Sequence, residues 1–233
     1  MPRFLLSLPL AALVTTALGV TSILAGLVRR DTHLPRRLER VWGRALLKLW
    51  GVKVRVRGAE NAPPGPAVYA ANHASYLDIP ILFGHLPAEF RIIHKRSLYW
   101  FPVIGLYLYL AGHIAIDRSK PFRARRSLSR AARRIAGGES VAVFPEGTRS
   151  ADATVQPFKK GSFVVALEAG VPVVPVSLRG VKRLVPRGLL WLEPGEVMVT
   201  VHPPLPTAGR RPQEAPALAE KTREIVSGAC AGT

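Results

Sequence analysis

The sequence predicts an α/β fold, a mostly parallel sheet flanked by helices, preceded by N-terminal membrane-associated helices. Three observations carry that expectation. Short β-branched runs alternate with helical patterns from Val52 to the end of the chain, as happens when strands are joined through crossover helices. Two of these runs, Val141 to Phe144 and Val173 to Leu178, are apolar enough to read as buried strands. Ahead of them, Phe4 to Val28 contains no charged residue.

The elements follow in order. Phe4 to Val28 makes roughly 37 Å of helix at 1.5 Å per residue, enough to cross a hydrocarbon core. Pro9, Gly19 and Gly26 are tolerable there, and Arg29 and Arg30 end the run. A cleaved signal peptide fits less well, because the leading basic region is only Arg3 and no Ala-x-Ala site stands out. In Thr32 to Trp50, Leu34, Leu38, Val41, Trp42, Ala45, Leu46, Leu49 and Trp50 fall at helical spacing, with Arg36, Arg37, Arg40, Arg44 and Lys48 opposite. That pattern, with tryptophans on the apolar face, is expected of a basic amphipathic helix lying in a membrane interface; an ordinary helix docked on the domain is the alternative. The expected organisation is therefore a membrane module over residues 1–50 and an α/β domain over residues 51–233. By the positive-inside rule the basic residues after the apolar run place that domain in the cytoplasm, at the inner membrane.

Within the domain, Val52 to Arg57 alternates as an edge strand and Ala67 to Ala71 is a strand. Ile79 to His85 is a short helix, Phe90 to His94 a strand, and Leu98 to Leu110 an apolar helix or re-entrant segment broken by Pro102 and Gly105. His113 to Ile116 is a strand, and Pro121 to Ala136 an arginine-rich helix stopped by Gly137-Gly138. Gly161 to Ala169 is a helix, Val197 to Val201 a late strand, and Glu214 to Val226 a terminal helix.

Composition narrows the classes. The 233 residues are 48% hydrophobic, so a folded core is expected rather than disorder. An excess of 33 Lys+Arg over 15 Asp+Glu gives a formal net charge of +18, which attracts polyanions: nucleic acid, anionic lipid or phosphorylated substrates. The chain has no Gly-x-Gly-x-x-Gly, P-loop or RNP-type aromatic strand, so nucleic acid is not an expected partner. Cys230 is the only cysteine, which suits a reducing compartment. His33, His85, His94 and His202 show no metal-ligand spacing.

The chemistry concentrates at Asn72-His73-Ala74-Ser75-Tyr76-Leu77-Asp78. His73 and Asp78 stand five positions apart, about 140° round a regular helix. The pair thus reads as a turn into a helix, with Asp78 folding back on His73. Pro80 supports a helix start there. A neutral imidazole held by a carboxylate is a general base near neutral pH. The same residues also fit a plain capping role for Ser75 or Asp78. Further on, Gly112 to Arg118 is a strand ending in an arginine, and Val143 to Ser150 is a strand breaking into Glu146-Gly147-Thr148-Arg149. Val171 to Val176 is an apolar strand punctuated by Pro172 and Pro175. In an open parallel sheet the loops at the carboxyl ends of the strands converge on one crevice. Arginine forks and backbone N–H groups at a glycine turn recognise phosphate.

These blocks, in this order, resemble the glycerophospholipid acyltransferase family, the PlsC-like group of 1-acylglycerol-3-phosphate acyltransferases. Its Asn-His-x-x-x-x-Asp block is matched at Asn72 to Asp78, and its Gly-x-x-x-Ile-x-Arg-like block at Gly112 to Arg118, where Ala115 replaces the usual bulky Phe. Its Phe-Pro-Glu-Gly-Thr-Arg-Ser block is matched at Phe144 to Ser150 and its proline strand at Val171 to Pro175. The resemblance implies transfer of an acyl group from acyl-CoA or acyl-carrier protein to the sn-2 hydroxyl of a lysophosphatidic acid, giving phosphatidic acid. It implies no cofactor or metal. His73 would be the base and Asp78 its orienter. Lys95, Arg118, Glu146, Gly147, Thr148 and Arg149 would hold the phosphorylated acceptor, and Pro175 would shape the apolar cleft. Related acceptors, such as glycerol 3-phosphate or another lyso-lipid, fit the same motifs. The bottom-up alternative is a noncatalytic basic module that binds anionic lipid, which has no need of the His73–Asp78 pair.

Overall fold

Valine and isoleucine set the sheet. β-Branched side chains are stiff about χ1 and pack well on a pleated surface. The runs that carry them are the strands of the structure, a computed structural model that describes residues 2–29, 33–117, 119–150, 152, 154–186 and 192–231. The described strands form one seven-stranded sheet: β1 (Val52–Arg57), β2 (Val68–Ala71), β3 (Arg91–Lys95), β4 (Ile114–Ile116), β5 (Val141–Val143), β6 (Val173–Arg179) and β7 (Gly195–Val201), in the order β1-β7-β6-β2-β5-β3-β4. Strands β6, β2, β5, β3 and β4 run parallel. β7 lies antiparallel on β6, and β1 lies parallel to β7. The sheet is mixed, with a parallel majority, as expected. β2 and β5 are buried along their whole length, whereas β1 buries Val52 and exposes Lys53, Arg55 and Arg57, the pattern of a solvated edge.

Side-chain alternation divides the core in two. Tyr69, Ala71, Val174 and Val176 point to one face, where α1 (Pro2–Arg29), α2 (His33–Leu49) and α3 (Asp78–His85) lie. Val68, Ala70, Val141, Val143 and Val173 point to the other, against α5 (Pro121–Ala136), α6 (Gly161–Ala169) and α8 (Ala215–Ala231). α4 (Pro102–Leu110) packs beside α1, and the short α7 (Val181–Leu184) precedes β7. The central strands β2, β5 and β6 thus feed both cores, a three-layer architecture.

α2 is docked on the domain. Its Leu46 and Leu47 are buried, and it crosses α3 at Gly43. A Cβ on Gly43 would stand 2.5 Å from Pro80 O and 2.8 Å from Gly84 N. Three of its five basic residues serve α3: Arg44 Nε donates to Gly84 O at 2.9 Å, Arg40 to Leu86 O and Ala88 O at 3.4 and 3.3 Å, and Arg36 pairs with Glu89. The guanidiniums of Arg44 and Arg40 satisfy carbonyls left open at and just past the end of α3, while Arg36 holds a carboxylate in the loop that follows. α1 has the length and composition to cross a bilayer: Phe4–Ala25 has a mean hydropathy of 1.9 and is 17% buried.

Three boundaries differ from the sequence pattern. The apolar stretch from Leu98 divides into a 3₁₀ turn, Arg96–Trp100, and α4, which starts with Pro102 at a first-turn position that needs no N–H. α7 was not anticipated from the sequence, and α8 runs five residues past Val226, to Ala231.

Candidate active site

β2 delivers His73. The strand ladder ends at Ala71, paired with Val176 of β6, and Asn72 continues it with a side chain. Asn72 Nδ2 donates to Leu178 O at 3.1 Å, and its Oδ1 accepts from Leu178 N at 2.8 Å. The amide imitates one more peptide unit, so the chain can leave the sheet without orphaning the β6 backbone. His73 comes next, held at both backbone ends. Its N–H donates to Glu146 Oε1 at 2.6 Å, and its carbonyl accepts from Ser150 N at 2.8 Å.

The imidazole is fixed by two contacts. Nδ1 lies 2.7 Å from Asp78 Oδ2, and the ring stacks on Phe144, with centroids 4.1 Å apart and planes 17° from parallel. Asp78 is fully buried and His73 keeps 19% of its side-chain surface. The same Oδ2 accepts from Ala74 N at 2.7 Å and Ser75 N at 2.9 Å. Asp78 also opens α3, where the helix N-terminus favours negative charge. With Nδ1 committed to the carboxylate, Nε2 is left with a lone pair for a substrate proton. Ser75 is buried and its Oγ accepts from Leu77 N at 2.9 Å.

The second loop leaves β5, the neighbour of β2 in the sheet. Glu146 organises it. Besides the His73 bond, its Oε2 accepts from Gln156 N at 3.1 Å. Burial pushes the Glu146 carboxyl above its ordinary range, and the N–H groups of His73 and Gln156 pull it back. Gly147 turns the chain at φ 78°, a conformation open to glycine. Thr148 and Arg149 stand exposed beyond it.

Other candidates fall in different places. Lys95 ends β3 and is exposed; with Gly147 it lines a cleft of about 1,360 Å³. The cleft runs along β4 between Tyr99, Trp100 and the arginines of α5. Pro175 is buried in β6 opposite Ala70, and its carbonyl accepts from His202 N at 3.0 Å. It lies inside the sheet, in register with a residue three positions before His73. Arg118 lies outside the described residues. Among the described residues no group of three or more His, Cys, Asp or Glu could hold a metal ion. Phe144 and Gln156 contribute contacts that motif reading did not assign. Phe144 was visible as a motif member, whereas Gln156 acts through its main chain and leaves no trace in residue type.

A family model described as Acyltransferase matches residues 53–179, the segment that contains every residue of this site. The chain belongs to the acyltransferase family. Beyond the family model, this acyltransferase is 45% identical over 157 residues to a 1-acyl-sn-glycerol-3-phosphate acyltransferase of Chlamydomonas reinhardtii, covering 66% of this chain and 47% of the relative. It is 38% identical over 177 residues to the human 1-acyl-sn-glycerol-3-phosphate acyltransferase alpha, covering 75% of this chain and 62% of the relative. The chain thus spans about half to three-fifths of these relatives. The crystal structure of PlsC, the 1-acyl-sn-glycerophosphate (LPA) acyltransferase from Thermotoga maritima, superposes with a TM-score of 0.82 at 30% identity, covering 98% of this chain and 95% of that one. The likeness to PlsC therefore includes the two N-terminal helices, which the family model leaves out.

Proposed function

We propose that this protein transfers a fatty acyl group from an acyl thioester, acyl-CoA or acyl-carrier protein, to the sn-2 hydroxyl of a 1-acylglycerol 3-phosphate, forming phosphatidic acid. The observation that carries this reading is the buried Asp78 carboxylate 2.7 Å from His73 Nδ1, with the far edge of the ring open. The names of the relatives supply the acceptor.

His73 Nε2 takes the proton of the acceptor hydroxyl as its oxygen attacks the thioester carbon. Asp78 holds the imidazole in the tautomer that makes this possible and stabilises the imidazolium formed. The new C–O bond forms, the C–S bond breaks, and the departing thiolate takes the proton back from His73. Asp78 is ready-made for this work because Ala74 N–H, Ser75 N–H and the α3 N-terminus already favour its charge. Glu146 ties the phosphate-binding loop to His73 by accepting its N–H. Lys95, Arg118 and Arg149 grip the acceptor phosphate, with Gly147 and Thr148 shaping the turn that leads to Arg149. The reaction in this scheme needs no cofactor.

Location follows the same reading. α1 enters the inner membrane, and the basic domain faces the cytoplasmic leaflet, where anionic headgroups and the acceptor lipid are found.

The test is a panel assay on the purified full chain. Phosphatidic acid should form from lysophosphatidic acid and either thioester, and an acceptor lacking the phosphate should react far more slowly. Arg149→Ala should raise the KM for lysophosphatidic acid by about tenfold or more, since a hydrogen bond to a charged group is worth roughly 1.5–3 kcal/mol. Equal losses on both acceptors would remove Arg149 from the phosphate site.

A further inference from the structure

One buried carboxylate lies outside the segment that the family model matches. Glu39 on α2 is 5% exposed. Its Oε1 accepts from Tyr107 Oη of α4 at 2.7 Å and lies 3.1 Å from His113 Nε2. The His113 approach is off the N–H axis, a charge–dipole contact rather than a full hydrogen bond. His113 Nδ1 accepts from Ile92 N of β3 at 3.1 Å, which assigns the ring's hydrogen to Nε2, toward Glu39.

We infer that Glu39 is a positioning residue for acceptor binding, fixing through His113 and Tyr107 the β3/β4 edge of the sheet that carries Lys95. This rests on the acceptor reading given above.

The reason is the weakness of that edge. β4 is the last strand of the sheet and pairs with β3 through only three residues, Ile93↔Ile114, His94↔Ala115 and Lys95↔Ile116. Among the described residues no strand on its far side holds its register, and a slip of one residue would reverse every side chain. Polar groups clamp its entry instead. Buried Arg91 donates to Ala111 O at 2.5 Å, and Arg134 donates to Gly112 O at 2.7 Å. His113 N–H donates to Leu108 O at 2.9 Å. Glu39 is the member of this clamp that comes from the helix under α1, and its charge also faces Arg91. His113 itself lines the cleft, together with Lys95 and Gly147. A buried carboxylate is costly unless its partners are fixed, so His113 and Tyr107 are held to it, and the cleft wall with them. α2 is in this way a part of the site's frame.

Steady-state kinetics of the full chain, varying lysophosphatidic acid and the acyl donor separately, test this. Glu39→Ala should raise the KM for lysophosphatidic acid about tenfold or more, with kcat and the donor KM within about threefold of wild type. Glu39→Gln keeps an oxygen for Tyr107 and His113 and should recover most of the loss. Sedimentation with vesicles should be unchanged in both. Tyr107→Phe keeps the ring and removes one hydroxyl; it should raise the acceptor KM by about threefold even if Glu39→Ala fails to fold. An unmoved acceptor KM in the folded Tyr107→Phe protein overturns the inference, as do equal changes in both KM values in Glu39→Ala. A wild-type chain that makes no phosphatidic acid overturns the acceptor reading itself, and this inference with it. An active wild type with an unmoved acceptor KM overturns the inference alone.

Discussion

Glu146 stands between the two loops of the site, and its two oxygens each accept one backbone N–H, from His73 and from Gln156. Glu146→Gln turns one of those oxygens into a donor facing a donor. The expected cost is about 1–3 kcal/mol of folding stability, the penalty of a buried N–H left unmatched, read as a lower midpoint in urea. Turnover should fall with it, because His73 loses a backbone anchor. Cys230 gives a second test at this scale. Burial pushes its thiol up to about 11, and the Glu146 carboxylate adds to the shift. At pH 7.5 only about one molecule in 3,000 carries the thiolate, so native-state alkylation should be slow and rise roughly tenfold per pH unit until near that value. Rapid alkylation of folded protein at neutral pH would contradict this. At this scale the sequence was informative wherever a residue type does chemistry. His73, Asp78, Glu146 and Lys95 could be singled out because the roles proposed for them use their side chains. Gln156 and Ala74 act through peptide N–H groups that every residue has, and Asn72 acts as a surrogate peptide; no residue pattern announces those roles.

α2 shows what a pattern can and cannot say about an element. Its apolar stripe and basic face were legible, and the helix runs from His33 to Leu49. Which apolar partner covers the stripe was not, because lipid and a protein core are the same kind of surface to a leucine. The structure gives Leu46 and Leu47 to the core and three arginines to α3 and the residues just beyond it, Leu86, Ala88 and Glu89. Gly43 is the contact point, and its lack of a side chain brings the two helices together. Gly43→Ala would put a methyl 2.5 Å from Pro80 O, a backbone atom that cannot step aside. Destabilisation of about 1–3 kcal/mol is expected, from overpacking, visible as a lower melting temperature. An unchanged melting temperature would mean that α2 and α3 are not packed this closely in solution.

Across the whole molecule, the alternation of strands and helices made the α/β class readable, since each element type has its own hydrophobic period. Strand order was not readable. β2 sits between β5 and β6, and β1 pairs with β7 from the far end of the chain; such pairings depend on which crossovers close over a common core. The reversal of β7 was likewise hidden, because a valine run looks the same in either direction. Two truncations separate anchor from frame. Removal of residues 1–31 takes away α1, whose Leu6, Leu13, Leu24 and Leu27 are exposed, and should leave a folded protein that no longer floats with vesicles. Removal of residues 1–50 also takes α2 off Leu77, Ile81 and Leu82, and should give a poorly folded, aggregating product. A soluble, stable 51–233 fragment would contradict the place given to α2.

The most direct measurement is the rate of phosphatidic acid formation by His73→Ala, with folding and vesicle binding checked on the same sample. Removing a general base lowers turnover by roughly 10²–10⁴-fold. The expected result is a loss in that range at saturating lysophosphatidic acid and donor, with an unchanged melting curve and unchanged vesicle binding. A folded, membrane-bound His73→Ala protein that keeps near-wild-type turnover would contradict the account.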